Sequence, residues 1–131
     1  MKTVAHERII PVDVDETLII HENPLSYSRY VDVEDPLEAG KFITLGVNEP
    51  MVKILKDESL RGAFIIVWSR SGHQWAEAIV KALNLSYYVN IVMTKPQVYL
   101  DDKEVSEWLK DRIYLNPKVI YKQHNNTKEK L

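Results

Sequence analysis

Two aspartates near the start of the chain, two residues apart, are the side chains best suited to chemistry. Asp13 and Asp15 follow the apolar run at residues 9–12, and the hydroxyl of Thr17 comes close behind them. Side chains alternate along a strand, so both carboxylates could share one face of a continuing strand or turn into a crevice at its carboxyl end. One carboxylate could then attack while the other moves a proton, which is phosphoryl chemistry on an aspartate.

Three more polar clusters follow apolar runs further along the chain. They are Ser69-Arg70-Ser71-Gly72, Thr94-Lys95-Pro96 and Asp101-Asp102. Parallel strands bring their carboxyl ends to the same edge of a sheet, so we expect the clusters to meet there. Together they suit displacement through an aspartyl-phosphate. Mg²⁺ takes one or two carboxylates, and lysine and hydroxyl donors can hold the phosphoryl oxygens.

Hydrophobic periodicity predicts the elements that must position these clusters. We expect strands at residues 9–14, 63–68, 88–93, 98–100 and 113–115, and helices at 49–57, 73–83 and 103–110. Asn48 is the predicted cap of the first helix. The run at 63–68 is continuously apolar, as in a strand buried on both faces. Pro11 is unusual in a central strand, which leaves the pairing of the first strand open.

Between the first strand and the first helix, the pattern predicts a β-hairpin that projects from the body. Residues 29–33 and 41–45 are its β-like arms, and Asp35-Pro36 and Gly40 are the turn signals between them. The alternation of strands and helices elsewhere predicts a parallel sheet with helices on both faces. The fold class expected is therefore α/β, a three-layer α/β/α Rossmann-like fold with a hairpin flap.

Length and composition fit one ordinary soluble domain. The chain has 131 residues, of which 45% are hydrophobic and 27% are charged, and we assign residues 1–123 to the domain, 21–47 to the flap and 124–131 to a polar tail. A net charge of -2 does not favour strong nonspecific binding to nucleic acid. The lack of cysteine excludes disulfides and thiolate metal sites. No apolar run is long enough to span a bilayer, and residues 1–8 lack the apolar core of a signal peptide, so we expect a cytoplasmic protein.

In order, the segments DVDET, WSRSG, MTKP and YLDDK resemble the four motifs of the haloacid dehalogenase (HAD) superfamily, over roughly residues 9 to 103. This resemblance implies that Asp13 is the nucleophile and Asp15 the general acid and base. Thr17 would support the turn after the nucleophile. Ser69 would donate to the phosphoryl group, and Lys95 would neutralise both Asp13 and the phosphate. Arg70 is a further candidate phosphate contact because it lies beside Ser69, and Thr17 is another candidate for phosphate binding.

The same resemblance implies a Mg²⁺ site. Asp13 would ligate the ion through its carboxylate, Asp15 through its main-chain carbonyl, and Asp101 through its carboxylate. Asp102 would be a second ligand, either directly or through water.

Further details of the motifs narrow the reaction and the substrate. The dehalogenases of the family lack the second acid, so Asp15 favours a phosphatase, and Glu16 stands where the family commonly has glycine. Residues 18–48 and 72–94 leave no room for a cap domain, which resembles the capless class with open sites. Such a site suits a large phosphorylated substrate, such as a nucleic-acid end or a protein, or closure by a neighbouring subunit in a homo-oligomer.

Structural interpretations of the same residues remain open. The acid pair Asp13 and Asp15 could be only a turn, and Ser69 could cap the following helix. Structural roles are also open elsewhere: a cap at Asp101 and Asp102, surface positions for Arg70 and His73, core positions for Trp75 and Trp108, and either substrate contact or core cover for Tyr27, Arg29, Tyr30 and Lys41.

Two further functions are compatible with part of the pattern. A receiver-like signalling module also uses an acid pair, a hydroxyl and a Lys-Pro. Its phosphoacceptor, however, closes a strand between the acid pair and the hydroxyl residue, where the β-like runs of this chain end at Val33 and Leu45. The second is a catalytically inactive HAD relative that keeps the metal site for binding.

Overall fold

Two small sheets and two α-helices make up the part of the chain that the computed structural model describes, which is residues 8–109, 111 and 113. In chain order the elements are β1 (Ile9–Asp13), β2 (Ile19–Ile20), β3 (Tyr30–Glu34), β4 (Phe42–Val47), α1 (Glu49–Leu60), β5 (Phe64–Ser69), α2 (His73–Ala82) and β6 (Ile91–Thr94). Short 3-10 turns lie at Pro24–Ser26, Ser86–Tyr88 and Val105–Glu107. The predicted α/β class is confirmed. None of the described helices has the length and apolar character needed to cross a membrane.

The parallel sheet positions the candidate site. Its strand order is β1-β5-β6, with Asp13 opposite Trp68 and Ser69 opposite Thr94. The three strands therefore finish at one edge, and the predicted meeting of their polar ends is confirmed for the clusters that follow β1, β5 and β6. Pro11 fits because β1 is an edge strand of the sheet that the described residues form, and a missing donor costs least at an edge.

Burial along β5 alternates rather than being uniform. Ile65, Val67 and Ser69 are fully buried, whereas the residues between them are half-buried. The prediction of equal burial on both faces was therefore too strong, because the period of two turns successive side chains to opposite faces and only one of these meets the main core.

The hairpin arms at residues 29–33 and 41–45 are confirmed, as β3 and β4. These strands pair antiparallel, and β2 joins the other edge of β4 to give the order β2-β4-β3. The prediction that the hairpin projects from the body was wrong for its basal part. Val33, Leu45 and Val47 are buried in the same core as Val67 and Ile79, so this part of the flap helps to form the core, whereas residues 36–42 are exposed.

Both central helices form where periodicity predicts them. α1 begins at Glu49 and continues to Leu60, beyond the predicted end at residue 57, and α2 occupies His73–Ala82. Each buries one apolar stripe against the core, as expected of an amphipathic helix. The buried residues are Met51, Val52 and Leu55 on α1, and Trp75, Ala76, Ile79 and Val80 on α2.

The segment after β6 differs most from expectation. Residues 98–100 form no strand, and the side chains of Val98 and Leu100 are 79% and 97% exposed. The predicted helix at 103–110 is reduced to the 3-10 turn Val105–Glu107, with residue 110 outside the described residues. Side-chain bonds to main-chain N–H groups compete with regular structure here: Asp101 accepts from Lys103 N at 3.2 Å and Tyr99 Oη accepts from Val105 N at 3.1 Å.

The remaining C-terminal predictions are not tested. Of the strand expected at residues 113–115, only residue 113 is described, and it has no regular structure. The tail at 124–131 lies entirely outside the described residues.

Candidate active site

A tight turn directly after β1 separates the two aspartates of the first motif. The buried carbonyl of Val14 accepts the N–H groups of Thr17, Leu18 and Ile19 at 3.2, 2.9 and 3.3 Å. Asp13 is therefore the last residue of the strand, and Asp15 lies in the turn as an isolated bridge partner of Ile19. The turn interpretation and the functional one are compatible, because the turn is what redirects Asp15.

The turn requires a left-handed residue, and Glu16 provides it at a φ of 60°. The left-handed region is unfavourable for a residue with a Cβ, by about 1–2 kcal/mol, but not for glycine. Glycine would adopt this conformation without that cost. Here the side chain makes a compensating contact, since Glu16 Oε1 accepts the N–H of His21 at 3.2 Å.

Asn48 ties the turn to the start of α1. Its Nδ2 donates to the carbonyl of Thr17 at 2.9 Å, and its main-chain N–H donates to the carbonyl of Leu18 at 3.0 Å. Asn48 occupies the N-cap position of α1, as predicted, although its side chain makes no capping bond to the helix. Thr17 takes part in the turn through its main-chain N–H and carbonyl.

Ser69, at the end of β5, is the centre of a second turn. Its buried Oγ accepts the N–H of Ser71 at 3.0 Å, and its carbonyl accepts the N–H groups of Gly72 and Lys95 at 3.1 and 2.9 Å. Ser69 is thus bonded to the residue that follows β6. It does not cap α2, whose first N–H, from His73, is accepted by Thr94 Oγ1 at 3.0 Å.

Lys95 is turned toward the proposed nucleophile. Its Nζ lies 3.9 Å from Asp13 Oδ1, and both side chains are 36% exposed. The pair is close enough for an ion pair but partly hydrated, so its attraction is screened by water. Lys95 therefore places a cation beside Asp13.

Asp15 is surrounded by four donors from three parts of the chain. Its Oδ1 lies 2.9 Å from His21 Nε2 and 3.0 Å from Trp75 Nε1. Its Oδ2 lies 3.3 Å from Ser69 Oγ and 3.5 Å from Ser71 Oγ. The carboxylate stays 31% exposed, so it is held firmly at an open edge.

None of these four contacts to Asp15 was predicted from the sequence, although Ser69 was a named site residue. Trp75 was assigned to the core, and it is buried, but its indole N–H reaches Asp15. A buried tryptophan normally finds an acceptor for that N–H, which is a signal that could have suggested a polar neighbour. Nothing in the sequence pattern singles out His21 or Ser71 as partners of Asp15.

The acid pair of the fourth motif lies elsewhere on the surface. Asp101 and Asp102 are exposed and line a shallow depression whose other lining residues are Tyr99, Lys103, Glu104 and Glu107. A hydrogen bond with the Asp102 side chain lowers the pKa of Asp101, whose Oδ1 also closes a local turn. The acid pair therefore lies in a local turn. It does not follow a strand, so the prediction of a strand at residues 98–100 that ends in this pair was wrong.

Only part of a magnesium ligand set is gathered. Within residues 8–109, 111 and 113, no group of three or more His, Asp or Glu side chains could hold a metal ion. The carboxylate of Asp13 and the carbonyl of Asp15 are hard oxygens, and Mg²⁺ commonly binds through one or two carboxylates while keeping several waters. These residues fit the ion in chemistry, whereas Asp101 and Asp102 are not gathered beside them in this conformation.

The remaining candidate contacts divide between surface and core. Tyr27 is buried against Gly46, and Arg29 reaches both the carbonyl of Leu83 and the carboxylate of Glu49, so these two hairpin residues cover the core edge. The exposed candidates are Tyr30, Lys41, Arg70 and His73, of which Lys41 faces Glu38 and His73 faces Glu77. Trp108, expected in the core, is 54% exposed.

No protein-family model, curated protein or solved structure matches this chain. Its function must therefore be inferred from the side chains gathered at the edge of the parallel sheet. They comprise one carboxylate next to a lysine, and a second carboxylate held by N–H and hydroxyl donors. This arrangement can supply a nucleophile, a proton carrier and donors to an anion.

Proposed function

We propose that the chain is a small phosphatase of the HAD superfamily that hydrolyses a phosphate monoester through an aspartyl-phosphate on Asp13. The main support is one juxtaposition. Lys95 Nζ lies 3.9 Å from Asp13 Oδ1, and Ser69 Oγ lies 3.3 Å from Asp15 Oδ2, while a main-chain bond joins Lys95 to Ser69. Residues from three separate motifs thus form one connected group. The proposal includes a three-layer α/β/α Rossmann-like arrangement without a cap domain.

In the first step, a carboxylate oxygen of Asp13 attacks phosphorus and the bond from phosphorus to the ester oxygen breaks. Asp15 gives its proton to the departing alcohol oxygen as general acid. Lys95 and Ser69 interact with the phosphoryl oxygens, where negative charge must be stabilised in the transition state.

In the second step, Asp15 takes a proton from water, and the water oxygen attacks the phosphorus of the aspartyl-phosphate. The bond between phosphorus and the Asp13 oxygen breaks, so inorganic phosphate leaves and the carboxylate of Asp13 is restored. Asp15 ends the cycle protonated, ready for the next ester.

We propose Mg²⁺ as the cofactor, held by the Asp13 carboxylate, the Asp15 carbonyl and either Asp101 or Asp102. When bound, the ion would neutralise charge on Asp13 and on the phosphate. Completing this ligand set requires the segment after Lys95 to approach the end of β1, because the acid pair lines a different depression in the described conformation.

The receiver-like alternative lacks an acceptor at the end of a parallel strand. A receiver needs an aspartate at the end of a strand between the acid pair and the hydroxyl residue. Between Thr17 and Ser69, a stretch that the structure describes completely, the strands before β5 end at Ile20, Glu34 and Val47, and all three belong to the antiparallel sheet. Asp35 directly follows β3 in that sheet, but its Oδ1 closes a local turn by accepting the N–H of Leu37 at 2.9 Å. Asp57 lies within α1. These observations favour the phosphatase.

The exposure of Asp13 and Asp15 supports an open site, which can accept a substrate that is not enclosed. Asp13 and Asp15 remain 36% and 31% exposed, and the basal part of the hairpin packs in the core. We therefore propose a phosphorylated substrate that is not enclosed, with phosphorylated nucleic-acid ends as the alternative to small metabolites. A neighbouring subunit of a homo-oligomer could supply the missing cover.

The test is hydrolysis of 4-nitrophenyl phosphate by the purified full chain, followed by a panel of small phosphates, 3′- and 5′-phosphorylated oligonucleotides and phosphopeptides. We expect turnover that needs Mg²⁺, stops with chelator and disappears in Asp13→Asn. Asp57→Asn is the matched control, because Asp57 lies on the surface of α1 and contacts Lys53.

The outcome against the proposal is also defined. A folded wild-type chain that is inert toward the whole panel with Mg²⁺ present contradicts phosphatase activity and favours an inactive relative. Intact-mass measurement adds a second criterion, since Asp15→Asn with an aryl phosphate should retain a phosphate adduct on Asp13. Wild-type turnover without any adduct in that variant would contradict the covalent route.

A further inference from the structure

The two oxygens of Asp15 have partners of different kinds. Oδ1 lies between two ring nitrogens, Nε1 of Trp75 at 3.0 Å and Nε2 of His21 at 2.9 Å. Oδ2 lies near the hydroxyls of Ser69 and Ser71, at 3.3 and 3.5 Å. The shorter contacts are therefore on the oxygen that faces away from Ser69.

The indole contact fixes the direction of the carboxylate. An indole N–H can only donate, so its hydrogen always points at an acceptor. Trp75 is 8% exposed and packs in the core on α2, so the ring cannot turn away without disturbing that packing. Hydrogen bonds to an ionised carboxylate are also stronger than neutral ones. Oδ1 is thus tied to a rigid element.

His21 is the second ring partner of Oδ1, and it comes from a part of the chain far from Trp75. It follows β2, which pairs with β4 of the antiparallel sheet, so its donor comes from a different sheet than that of Ser69. In the tautomer that carries its hydrogen on Nε2, the His21 ring donates to Oδ1 at 2.9 Å. Two donors from separate elements restrict rotation of the carboxylate more than either does alone.

The hydroxyl groups near Oδ2 can rotate and can either donate or accept a hydrogen bond. Ser69 Oγ accepts the N–H of Ser71, which leaves its own hydrogen free to turn toward Asp15. A hydroxyl can also accept a hydrogen bond. The contact between Ser69 Oγ and Oδ2 can therefore persist when the hydrogen moves from one oxygen to the other. Oδ2 is therefore the oxygen whose hydrogen-bond partners can rearrange.

We propose that Trp75 and His21 are positioning residues that lock Oδ1 of Asp15, so that Oδ2 faces Ser69 and the bound phosphate ester. This inference rests on the proposed phosphatase function. It adds that the general acid is aligned by an indole and an imidazole that belong to none of the four motif segments.

The experiment compares kcat and KM for 4-nitrophenyl phosphate and for glycerol phosphate. Trp75→Phe keeps an aromatic ring and removes the N–H, and His21→Leu removes the second donor. We expect kcat for glycerol phosphate to fall about ten-fold in each variant with KM nearly unchanged, because misaligned groups lose catalysis rather than binding.

The leaving group separates positioning from a general loss of structure. Nitrophenolate departs without a proton, so its release in the first turnover should be spared, while the later attack by water still needs Asp15. The variants should therefore accumulate a phosphate adduct detectable by intact mass. A variant that is only partly folded would lose both steps equally and form no extra adduct.

Two further variants serve as rescue and control. His21→Gln keeps an N–H donor and should recover most of the kcat that His21→Leu loses. Trp108→Phe makes the same chemical change at a half-exposed ring that is not a donor to Asp15, and its kcat should match wild type. Thermal unfolding of each variant shows whether it is folded.

The outcomes for the inference and for the proposed function are distinct. If wild type hydrolyses both esters and the Trp75 and His21 variants keep its kcat, the positioning role is overturned and the phosphatase stands. If wild type hydrolyses neither ester, both fall. Should Trp75→Phe not fold, the His21 pair decides by itself, because His21 is exposed and its side chain is 46% accessible.

Discussion

Replacement of Lys95 by glutamine separates a role in chemistry from a role in stability. Lys95 Nζ and Asp13 Oδ1 are 3.9 Å apart, and each side chain is 36% exposed. Unit charges at that distance attract by about 1 kcal/mol in bulk water and by about 4 kcal/mol at an effective dielectric constant near 20. The partial hydration of both groups places the pair near the lower value.

The expected loss of stability is correspondingly small. Exposed ion pairs contribute roughly 0.2–1 kcal/mol in double-mutant cycles, so we expect Lys95→Gln to lower the free energy of unfolding by about 1 kcal/mol or less. For a domain of this size that is a shift in Tm of about 4 °C at most. Asp13 is left without its cation but still partly hydrated, so no buried charge is stranded.

The expected loss of activity is much larger. Lys95 lies beside Asp13, the proposed nucleophile, and in the proposed mechanism it interacts with phosphoryl oxygens as charge is redistributed. Removing one such electrostatic donor costs about 100- to 1000-fold in kcat in well-studied enzymes. We therefore expect Lys95→Gln to lower kcat for 4-nitrophenyl phosphate by at least about 100-fold.

Steady-state kinetics and urea unfolding of the same preparations test whether Lys95→Gln loses much activity and little stability. Lys53→Gln is the matched control, since Lys53 Nζ lies 2.7 Å from Asp57 Oδ2 on the exposed face of α1. It should lose a similar amount of stability and keep wild-type kcat. If Lys95→Gln keeps kcat within about two-fold of wild type, or if unfolding accounts for its inactivity, the reasoning about Lys95 is refuted.

Three further predictions concern the scaffold. Gly46→Ala should destabilise by about 1–3 kcal/mol in urea unfolding, because a Cβ there would lie 2.5 Å from Cδ2 of the buried Tyr27 ring; an equal loss in a Tyr27→Ala background would contradict this. The free energy of unfolding should be about 1 kcal/mol higher for Glu16→Gly than for Glu16→Ala, because φ is 60° at this position and only glycine adopts that conformation without cost. Both variants lack the carboxylate, so equal stabilities would show that the turn relaxes. The Lys53 hydrogen bond lowers the pKa of Asp57, so its stabilisation should be present above the ordinary value of 3.8 and lost as pH falls through the lowered value; a difference in Tm between wild type and Lys53→Gln that persists at about pH 2 would contradict it.

Local patterns in the sequence were sufficient for the central elements. Alternating and continuous apolar runs located β1, β5 and the hairpin arms β3 and β4, while spacing along the helices located α1 and α2. Polar residues directly after β1, β5 and β6 then indicated one edge of a parallel sheet. Asp13, Asp15, Ser69 and Lys95 lie at that edge, because the direction of parallel strands fixes where their ends meet.

The same patterns were insufficient where local bonds compete with periodicity. Residues 98–110 carry a plausible strand and helix pattern, but Asp101 and Tyr99 satisfy nearby main-chain N–H groups and only the turn Val105–Glu107 forms among the described residues of this segment. A short apolar run such as 98–100 becomes a strand only when a neighbour accepts its hydrogen bonds and covers its side chains. That condition depends on the rest of the fold.

The sequence by itself determined the chemical inventory: two acids at the first turn, a serine after the next parallel strand and a lysine after the third. The tertiary structure decided how those groups are oriented. It placed Glu16 in a left-handed turn and brought a ring nitrogen of His21 and the indole N–H of Trp75 to one oxygen of Asp15. Such contacts join residues that are distant in the chain or lie across a turn, and no local periodicity encodes them. They form because packing of the two sheets and α2 leaves these donors facing a charged acceptor, and a hydrogen bond to such an acceptor is strong where the surroundings are partly apolar.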